Sequence, residues 1–168
     1  MSDTQDQAIK TILAYKDSLM NSVRVRGKTI SEWIEYFDID IPLIDNDLTL
    51  LRRKFSECST KYGECINMVT EYGLLLNKLK QEEEIGMMDS KAGCIIGEDK
   101  KKLSRDKIEA IAKSDNKKIV LSRMMAEMFL SIFKDQMIKI KSSIGILEAI
   151  NNSIMSEMKN LKYTTGGD

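Results

Sequence analysis

The amino-acid sequence predicts an all-α protein in which long, antiparallel or coiled-coil-like helices form an oligomeric helical bundle. Apolar residues recur three and four positions apart over two long segments, and this average step of 3.5 residues keeps one seam of each helix facing a partner helix. The composition agrees, with 31% charged residues and a single proline in 168 residues. No strand is predicted. Because neither helix can bury its seam alone, the helices are expected to pair within the chain or between chains.

The N-terminal part of the chain is predicted to be a helical extension. Apolar residues at helical spacing indicate an amphipathic helix over residues 4–23, which Gly27 terminates. Thr29 and Glu32 have the spacing of a capping box, so a short helix should begin after Thr29. Pro42 cannot continue a helix, and the residues around it are expected to form a non-helical connector.

The first long helix is expected to run from residue 48 to about residue 83, with Asp47 as its N-cap. Its apolar seam, here the first seam, comprises Leu51, Phe55, Cys58, Tyr62, Cys65, Val69, Tyr72, Leu76 and Leu79. Three glycines follow at positions 86, 93 and 97, and because glycine disfavours helix they predict a loop.

The last helix is predicted to end near residue 162, after a shorter helix from about 103 to 113. Its second seam begins at Ala126 and ends at Leu161. The oligomerisation residues are expected to be Leu130, Phe133, Met137, Ile140, Ile144, Leu147, Asn151, Ile154 and Met158. Asn151 is the polar member of this seam, and it either fixes register and subunit number or meets water where the seam ends. Further apolar residues beside the seam, such as Phe129, favour an oligomer larger than a dimer.

The expected domain organisation has three parts. Residues 1–46 form the helical extension and connector, and residues 47–163 form a long-helix domain for assembly, with a flexible loop near 85–102. Residues 164–168 should be a disordered tail.

Several functional classes are disfavoured by what the sequence lacks. The chain has no histidine to act as a base near neutral pH and no nucleophile elbow, so an enzyme is not expected. Three cysteines without histidine do not suggest a metal site, and no cofactor is expected. There is no apolar stretch long enough to span a membrane and no signal peptide, which indicates a soluble, cytoplasmic protein.

Positive charge is concentrated in one stretch, residues 100–123, here the basic segment. It holds nine Lys or Arg against three Asp or Glu, or +6, whereas the whole chain has a net charge of zero. One interpretation is a solvated helix surface, and the other is a site for the phosphate backbone of nucleic acid. The second interpretation assigns DNA binding to Lys100, Lys101, Lys102, Arg105, Lys107, Lys113, Lys117 and Lys118. Tyr62 and Tyr72 fall on the first seam, so base stacking on them is not expected.

Four short phrases also occur in a particular order over roughly residues 48–155: Ser59-Thr60-Lys61-Tyr62, Leu75-Leu76-Asn77-Lys78, Lys113-Ser114-Asp115 and Ile140-Lys141-Ser142. In this succession the chain resembles the UvsY-type recombination mediators of T-even-like phages. The resemblance implies a helical, non-enzymatic homo-oligomer, ring-like in form, that binds single-stranded DNA. It also implies that the protein helps a RecA-like recombinase to displace single-strand-binding protein, in the host cytoplasm if the chain is phage-encoded.

The chain departs from this family at the phrase associated with DNA binding. Where the family carries Lys-Ala-Arg followed by aromatic residues, this sequence has Lys91-Ala92-Gly93 without the arginine. Lys91 is therefore retained as a DNA-binding candidate, and the main DNA contact is expected in the basic segment.

Two other functions fit the same helices. A phage structural or scaffolding coiled-coil protein would bind only other proteins, and its basic segment would be solvated surface. A transcriptional or anti-host regulator would instead use the N-terminal helices to recognise duplex DNA.

Overall fold

The computed structural model describes residue 14 and residues 17–44, 47–96 and 104–165. Within these ranges the fold is all-α, as predicted, with two long helices that pack against each other and almost no sheet. The elements in chain order are β1 (Arg24–Val25), β2 (Lys28–Thr29), α1 (Ile30–Phe37), α2 (Leu48–Ile96), α3 (Arg105–Asp115) and α4 (Lys117–Thr165). No helix of the described part is both long and apolar enough to cross a membrane.

The chain divides into two compact units. The first combines Met1–Gly63 with Gln136–Asp168, and the second is Glu64–Asp135. Each long helix therefore contributes one part of its length to each unit. The division predicted at residues 46 and 47 stays a prediction.

A small β-hairpin precedes α1, although no strand was expected from the sequence. Arg24 pairs with Thr29 and Val25 with Lys28 in antiparallel register. The two residues between the strands, Arg26 and Gly27, have φ angles of 49° and 84°. A type I′ hairpin turn needs positive φ at both central positions, and glycine reaches that region without strain. Of the helix predicted over residues 4–23, most lies outside the described residues, and residues 17–22 are helical.

The capping box that begins α1 is confirmed. The Thr29 hydroxyl accepts a hydrogen bond from the Glu32 amide at 3.2 Å, and the Glu32 carboxylate accepts one from the Thr29 amide at 2.5 Å. These bonds to Thr29 lower the pKa of Glu32. On the inner face of α1, Ile30, Trp33 and Phe37 are buried, and the Trp33 indole N–H donates to the Val25 carbonyl at 2.8 Å. The hairpin and α1 thus form one packed element.

The connector and the start of α2 also follow the prediction. Residues 38–44 are non-helical, and the Asp47 carboxylate accepts hydrogen bonds from the amides of Thr49 and Leu50, both at 2.9 Å. Lys61 on α2 donates to the Asp38 carbonyl at 2.8 Å and lies 5.4 Å from the Tyr36 ring centroid. This lysine fixes the end of α1 against α2.

Buried side chains recur every seven residues on both long helices, which confirms the two seams. Each of these residues has at most 4% of its surface exposed: Leu51, Cys58 and Cys65 on α2, and Ala126, Phe133, Ile140, Leu147 and Ile154 on α4. Met68, fully buried beside the first seam, was not expected. Burial of one large apolar side chain contributes about 1.5–3 kcal/mol, so these rows dominate the stability of the helix pair.

The helices of the second unit run antiparallel. The thiol of Cys65 donates to the Phe133 carbonyl at 3.1 Å, and farther along α2 the Tyr72 ring contacts the Phe129 ring edge-on, at 5.7 Å between centroids. Arg123 pairs with Glu83, farther along still. Residues farther along α2 therefore contact residues closer to the N-terminus of α4.

The prediction of a loop near residues 85–102 is wrong for its first twelve residues, because α2 continues as a helix to Ile96. Residues 97–103 lie outside the described part. Two glycines in a helix interior cost about 1 kcal/mol each relative to alanine, and contacts with the rest of the second unit offset this cost. At the C-terminal end, the predicted tail is helical at its first two positions, since α4 ends at Thr165.

The three cysteines should differ sharply in reactivity. Cys58 and Cys65 are completely buried, and burial raises the pKa of the Cys65 thiol to about 11. Cys94 is partly exposed. With iodoacetamide at pH 8 we expect rapid modification of Cys94 alone. Cys58 and Cys65 should react only after urea is added. Mass spectrometry of the labelled protein measures both results. Rapid labelling of Cys65 in the native protein would contradict the described packing.

The same thiol should make stability depend on alkaline pH. Because the folded pKa of Cys65 lies above the ordinary value of 9.0, the unfolded chain releases this proton first as pH rises. Its contribution to stability is complete below about pH 9 and is lost between pH 9 and 11.

Candidate nucleic-acid interface

The structure describes six of the nine residues predicted to bind DNA, and all six are exposed: Lys91, Arg105, Lys107, Lys113, Lys117 and Lys118. Lys100, Lys101 and Lys102 lie outside the described residues. The six belong to the second unit. Exposure agrees both with phosphate binding and with a solvated surface, so the arrangement of the six residues has to distinguish these interpretations.

Four of the six cations lie around one buried asparagine, Asn116, which separates α3 from α4. Its side-chain amide donates to the Ala112 carbonyl at 2.9 Å and to the Ser90 hydroxyl at 3.2 Å, and only 6% of the residue is exposed. The bond to Ser90 joins the break between α3 and α4 to the last turns of α2.

A glycine makes this close approach possible. A Cβ atom at Gly86 would lie 2.1 Å from the Asn116 side-chain oxygen, far inside van der Waals contact. Gly86 and Ser90 are four residues apart, on the same face of α2. Asn116 therefore packs against a short surface of α2 that any larger residue at position 86 would block.

The Asn116 junction, meaning residues 86–91 with residues 113–118, groups charges that are distant in sequence. Lys91 follows Ser90, while Lys113, Lys117 and Lys118 flank Asn116. Asp89 and Asp115 oppose them, which leaves four positive charges against two negative ones, or +2. Lys113 pairs with Glu109 at 3.4 Å, but both side chains are largely exposed and such pairs contribute little. The lysine thus stays available to a phosphate.

Arg105 and Lys107 place two more cations on α3, where Asp106 and Glu109 balance their charge. Ala112 is the fully buried residue of this helix, and the two cations lie on exposed positions nearer its start. Within the described ranges, neither cation has a carboxylate within ion-pair distance.

Arg123, which contributes to the charge of the basic segment, is engaged in helix packing. Its guanidinium donates to Glu83 on α2 at 2.5 Å and to Glu127 on α4 at 2.9 Å. The hydrogen bond to Glu83, followed by that to Glu127, raises the pKa of Arg123. Lys80 also approaches Glu127, at 3.8 Å. The segment therefore presents less free positive charge than its sequence total of +6.

The tyrosines of the first seam are placed as expected. Tyr72 is half-buried between Phe129 and Phe133, with centroid distances of 5.7 and 5.5 Å, and burial raises the pKa of its hydroxyl. Tyr62 is also half-buried. The Tyr72 ring is therefore not a free platform for base stacking, and contacts at the basic segment would be to phosphates.

Four of the nine predicted oligomerisation residues are buried within one chain. Phe133, Ile140, Leu147 and Ile154 are buried in the chain's own core, and Met158 is 40% exposed. The half-buried members are Leu130, Met137, Ile144 and Asn151. Assembly through this row stays a prediction. Some apolar residues away from the seam are also exposed, such as Ile138 at 63%.

Within the described ranges no group of three or more His, Cys, Asp or Glu side chains is arranged to hold a metal ion. Comparisons of the chain with protein-family models, with curated proteins and with solved structures yield no match. The resemblance to UvsY-type recombination mediators therefore stays a prediction.

Proposed function

We propose that this protein is a recombination mediator that binds single-stranded DNA as a homo-oligomer. In this role it promotes loading of a RecA-like recombinase in place of single-strand-binding protein. The observation that carries the proposal is the grouping of Lys91, Lys113, Lys117 and Lys118 at the Asn116 junction, since these lysines come from three different helices and one packed asparagine brings them together.

The physical basis of binding is electrostatic. A lysine that neutralises a phosphate releases a condensed counterion, which adds affinity for any sequence and makes that affinity depend on salt. One junction with a net charge of +2 would bind weakly. Several copies in a ring would bind one strand with much higher avidity, provided that the strand can reach them together. Such sequence-independent contact suits a protein that must act wherever single-stranded DNA occurs.

The recombinase and single-strand-binding protein enter this proposal through the resemblance over residues 48–155. The helical fold supports it, as does the helix pair, whose exposed apolar side chains offer surface for protein contact. Ile138, Ile146 and Met155 are between 46% and 63% exposed on α4. The same side chains would also suit a scaffolding protein that binds only other proteins, so DNA binding is the property that separates the two functions.

Fluorescence anisotropy of labelled oligo-dT, titrated at several salt concentrations, tests the proposal. The junction variant changes four lysines to alanine: Lys91, Lys113, Lys117 and Lys118. A matched control removes four exposed cations away from the junction: Arg53, Lys134, Lys141 and Lys159.

We expect tight binding by the unmodified protein and a large loss in the junction variant. For single strands each lost phosphate contact lowers the slope of log affinity against log salt by about 0.7, so four contacts should lower it by about 3. The control should retain the slope. Equal losses in both variants would show that only total charge matters, and absence of binding at low salt would favour the scaffolding function.

A further inference from the structure

A polar cleft of about 370 Å³ lies in the first unit, between α1 and α4. It is lined by Ser31, Ile34, Glu35, Asp38, Gln136 and Lys139. All six residues are remote in sequence from the Asn116 junction, and the proposed DNA binding does not use them.

The wall formed by α1 is fixed before any ligand arrives. Ile30, Trp33 and Phe37 anchor the inner face of this helix in the core, and Lys61 holds the Asp38 carbonyl at its C-terminal end. The cleft residues of α1 occupy the neighbouring face, roughly 100° round the helix axis from this buried row. A preorganised wall lowers the entropic cost of binding.

Gln136 is the unusual residue of the cleft. Only 6% of it is exposed, its amide lines the cavity, and within the described ranges it has no hydrogen-bond partner. Buried polar side chains nearly always have partners, because leaving one unpaired costs free energy. The Gln136 amide is not one of the fully buried, unpaired groups of the described residues, so it is open to the cleft and available to a ligand there.

Two carboxylates beside Gln136 are also without ion-pair partners among the described residues. Glu35 and Asp38 belong to the C-terminal end of α1, which carries partial negative charge and has no basic residue in its last turn. Lys139 lines the α4 wall, and among the described residues it forms no ion pair with either carboxylate. The lining therefore combines two carboxylates and one free amide with the single ammonium group of Lys139. The ammonium of Lys61 also contacts the Asp38 carbonyl, but its charge is paired with Glu57 at 2.9 Å, so the lining favours a cationic ligand.

We propose that this cleft binds an arginine side chain presented by a partner protein. A guanidinium has five N–H donors in a rigid plane, so it can satisfy two carboxylates and the Gln136 carbonyl oxygen together. Its methylene stem would lie along Ile34. A lysine ammonium has three donors around a single point, and it matches this spread of acceptors less well.

The test uses the full-length protein and fluorescein-labelled tetra-arginine, with tetra-lysine as a probe of equal charge. Three variants are compared with the unmodified chain by anisotropy. Glu35→Gln with Asp38→Asn removes the carboxylates, and Gln136→Leu removes the amide at similar size. Glu148→Gln with Glu157→Gln makes the same charge change at exposed positions elsewhere on α4.

We expect tetra-arginine to bind more tightly than tetra-lysine, and the Glu35/Asp38 variant to weaken it about tenfold, the scale for the loss of two ion pairs between exposed groups. The Glu148/Glu157 control should bind as the unmodified protein does. Equal binding of both peptides, or equal losses in both acid-to-amide variants, would overturn the proposal in favour of unspecific attraction between charges.

The Gln136→Leu variant distinguishes a ligand site from a structural amide. Trp33 is the single tryptophan and reports unfolding of the first unit by fluorescence. We expect Gln136→Leu to weaken tetra-arginine binding while leaving the unfolding midpoint unchanged or higher. A lower midpoint would show that the amide serves the fold, and the proposal would then fail. Binding of oligo-dT by the Glu35/Asp38 variant should be undiminished, so this result is independent of the proposed DNA function.

Discussion

Replacing Phe133 by alanine is expected to lower the free energy of unfolding by about 3–5 kcal/mol, the range for a buried Phe truncated in a core. The side chain is completely buried, its ring packs 5.5 Å from that of Tyr72, and its carbonyl accepts the Cys65 thiol. Alanine is the better helix former, but that gain is below about 1 kcal/mol and cannot refill the cavity. Domains of this size have about 5–15 kcal/mol of stability in total.

Urea unfolding followed by circular dichroism measures this loss. Leu121→Ala serves as the control, because Leu121 lies on the same helix and in the same unit but is 48% exposed. Its truncation should change the free energy of unfolding by less than about 1 kcal/mol. Cys65 should also become reactive to iodoacetamide in the Phe133 variant. Similar small losses in both variants would mean that the second seam is not the core of the second unit.

The features predicted correctly from sequence are those fixed by near neighbours. The capping box of Thr29 and Glu32 and the N-cap Asp47 depend on residues within three positions of each other. The heptad rows depend only on spacing along one helix, and a 3.5-residue period has one physical reading, a helix seam that faces another helix. The exposure of the six described cations agrees with the same pattern, since they lie outside both seams, in the stretch between Leu79 and Ala126.

The features that sequence could not supply depend on contacts between distant residues. Arg123 lies forty positions from Glu83, and no local pattern marks which carboxylate it will find. The spacing of the seam residues also does not show whether the partner helix belongs to the same chain or to another. The burial of Gln136 could not be predicted, because a glutamine beside a seam is ordinarily solvated. Each case needs the three-dimensional register of the antiparallel helices.

The glycines after residue 84 show how a local rule fails. Three glycines close together predicted a loop, because glycine has a low helix propensity. The cost in a helix is only about 1 kcal/mol per glycine, which is small compared with the stabilisation from packed contacts. Gly86 is required for the approach of Asn116, whereas a Cβ atom added at Gly93 would have nothing within 4 Å. The two glycines therefore occupy the same helix for different reasons, and substitution should separate them.

Gly86→Ala is expected to destabilise the second unit, while Gly93→Ala should stabilise it by up to about 1 kcal/mol through helix propensity. An added methyl group at position 86 would overlap the Asn116 oxygen, and Asn116 cannot move away without losing its bonds to Ser90 and Ala112. Overpacking of this kind typically costs about 1–3 kcal/mol, which exceeds the gain in helix propensity. Thermal unfolding of both single variants gives the comparison.

A double-mutant cycle with Asn116→Ala assigns the effect to this contact. Once the Asn116 side chain is removed, Gly86→Ala should become neutral or stabilising, with a coupling of about 1–3 kcal/mol between the two positions. If the junction also groups the lysines that bind DNA, Gly86→Ala should weaken binding to oligo-dT and Gly93→Ala should not, although neither change alters charge. Additive effects of Gly86→Ala and Asn116→Ala would show that the two residues do not meet, and the grouping of Lys91 with Lys117 would lose its structural basis.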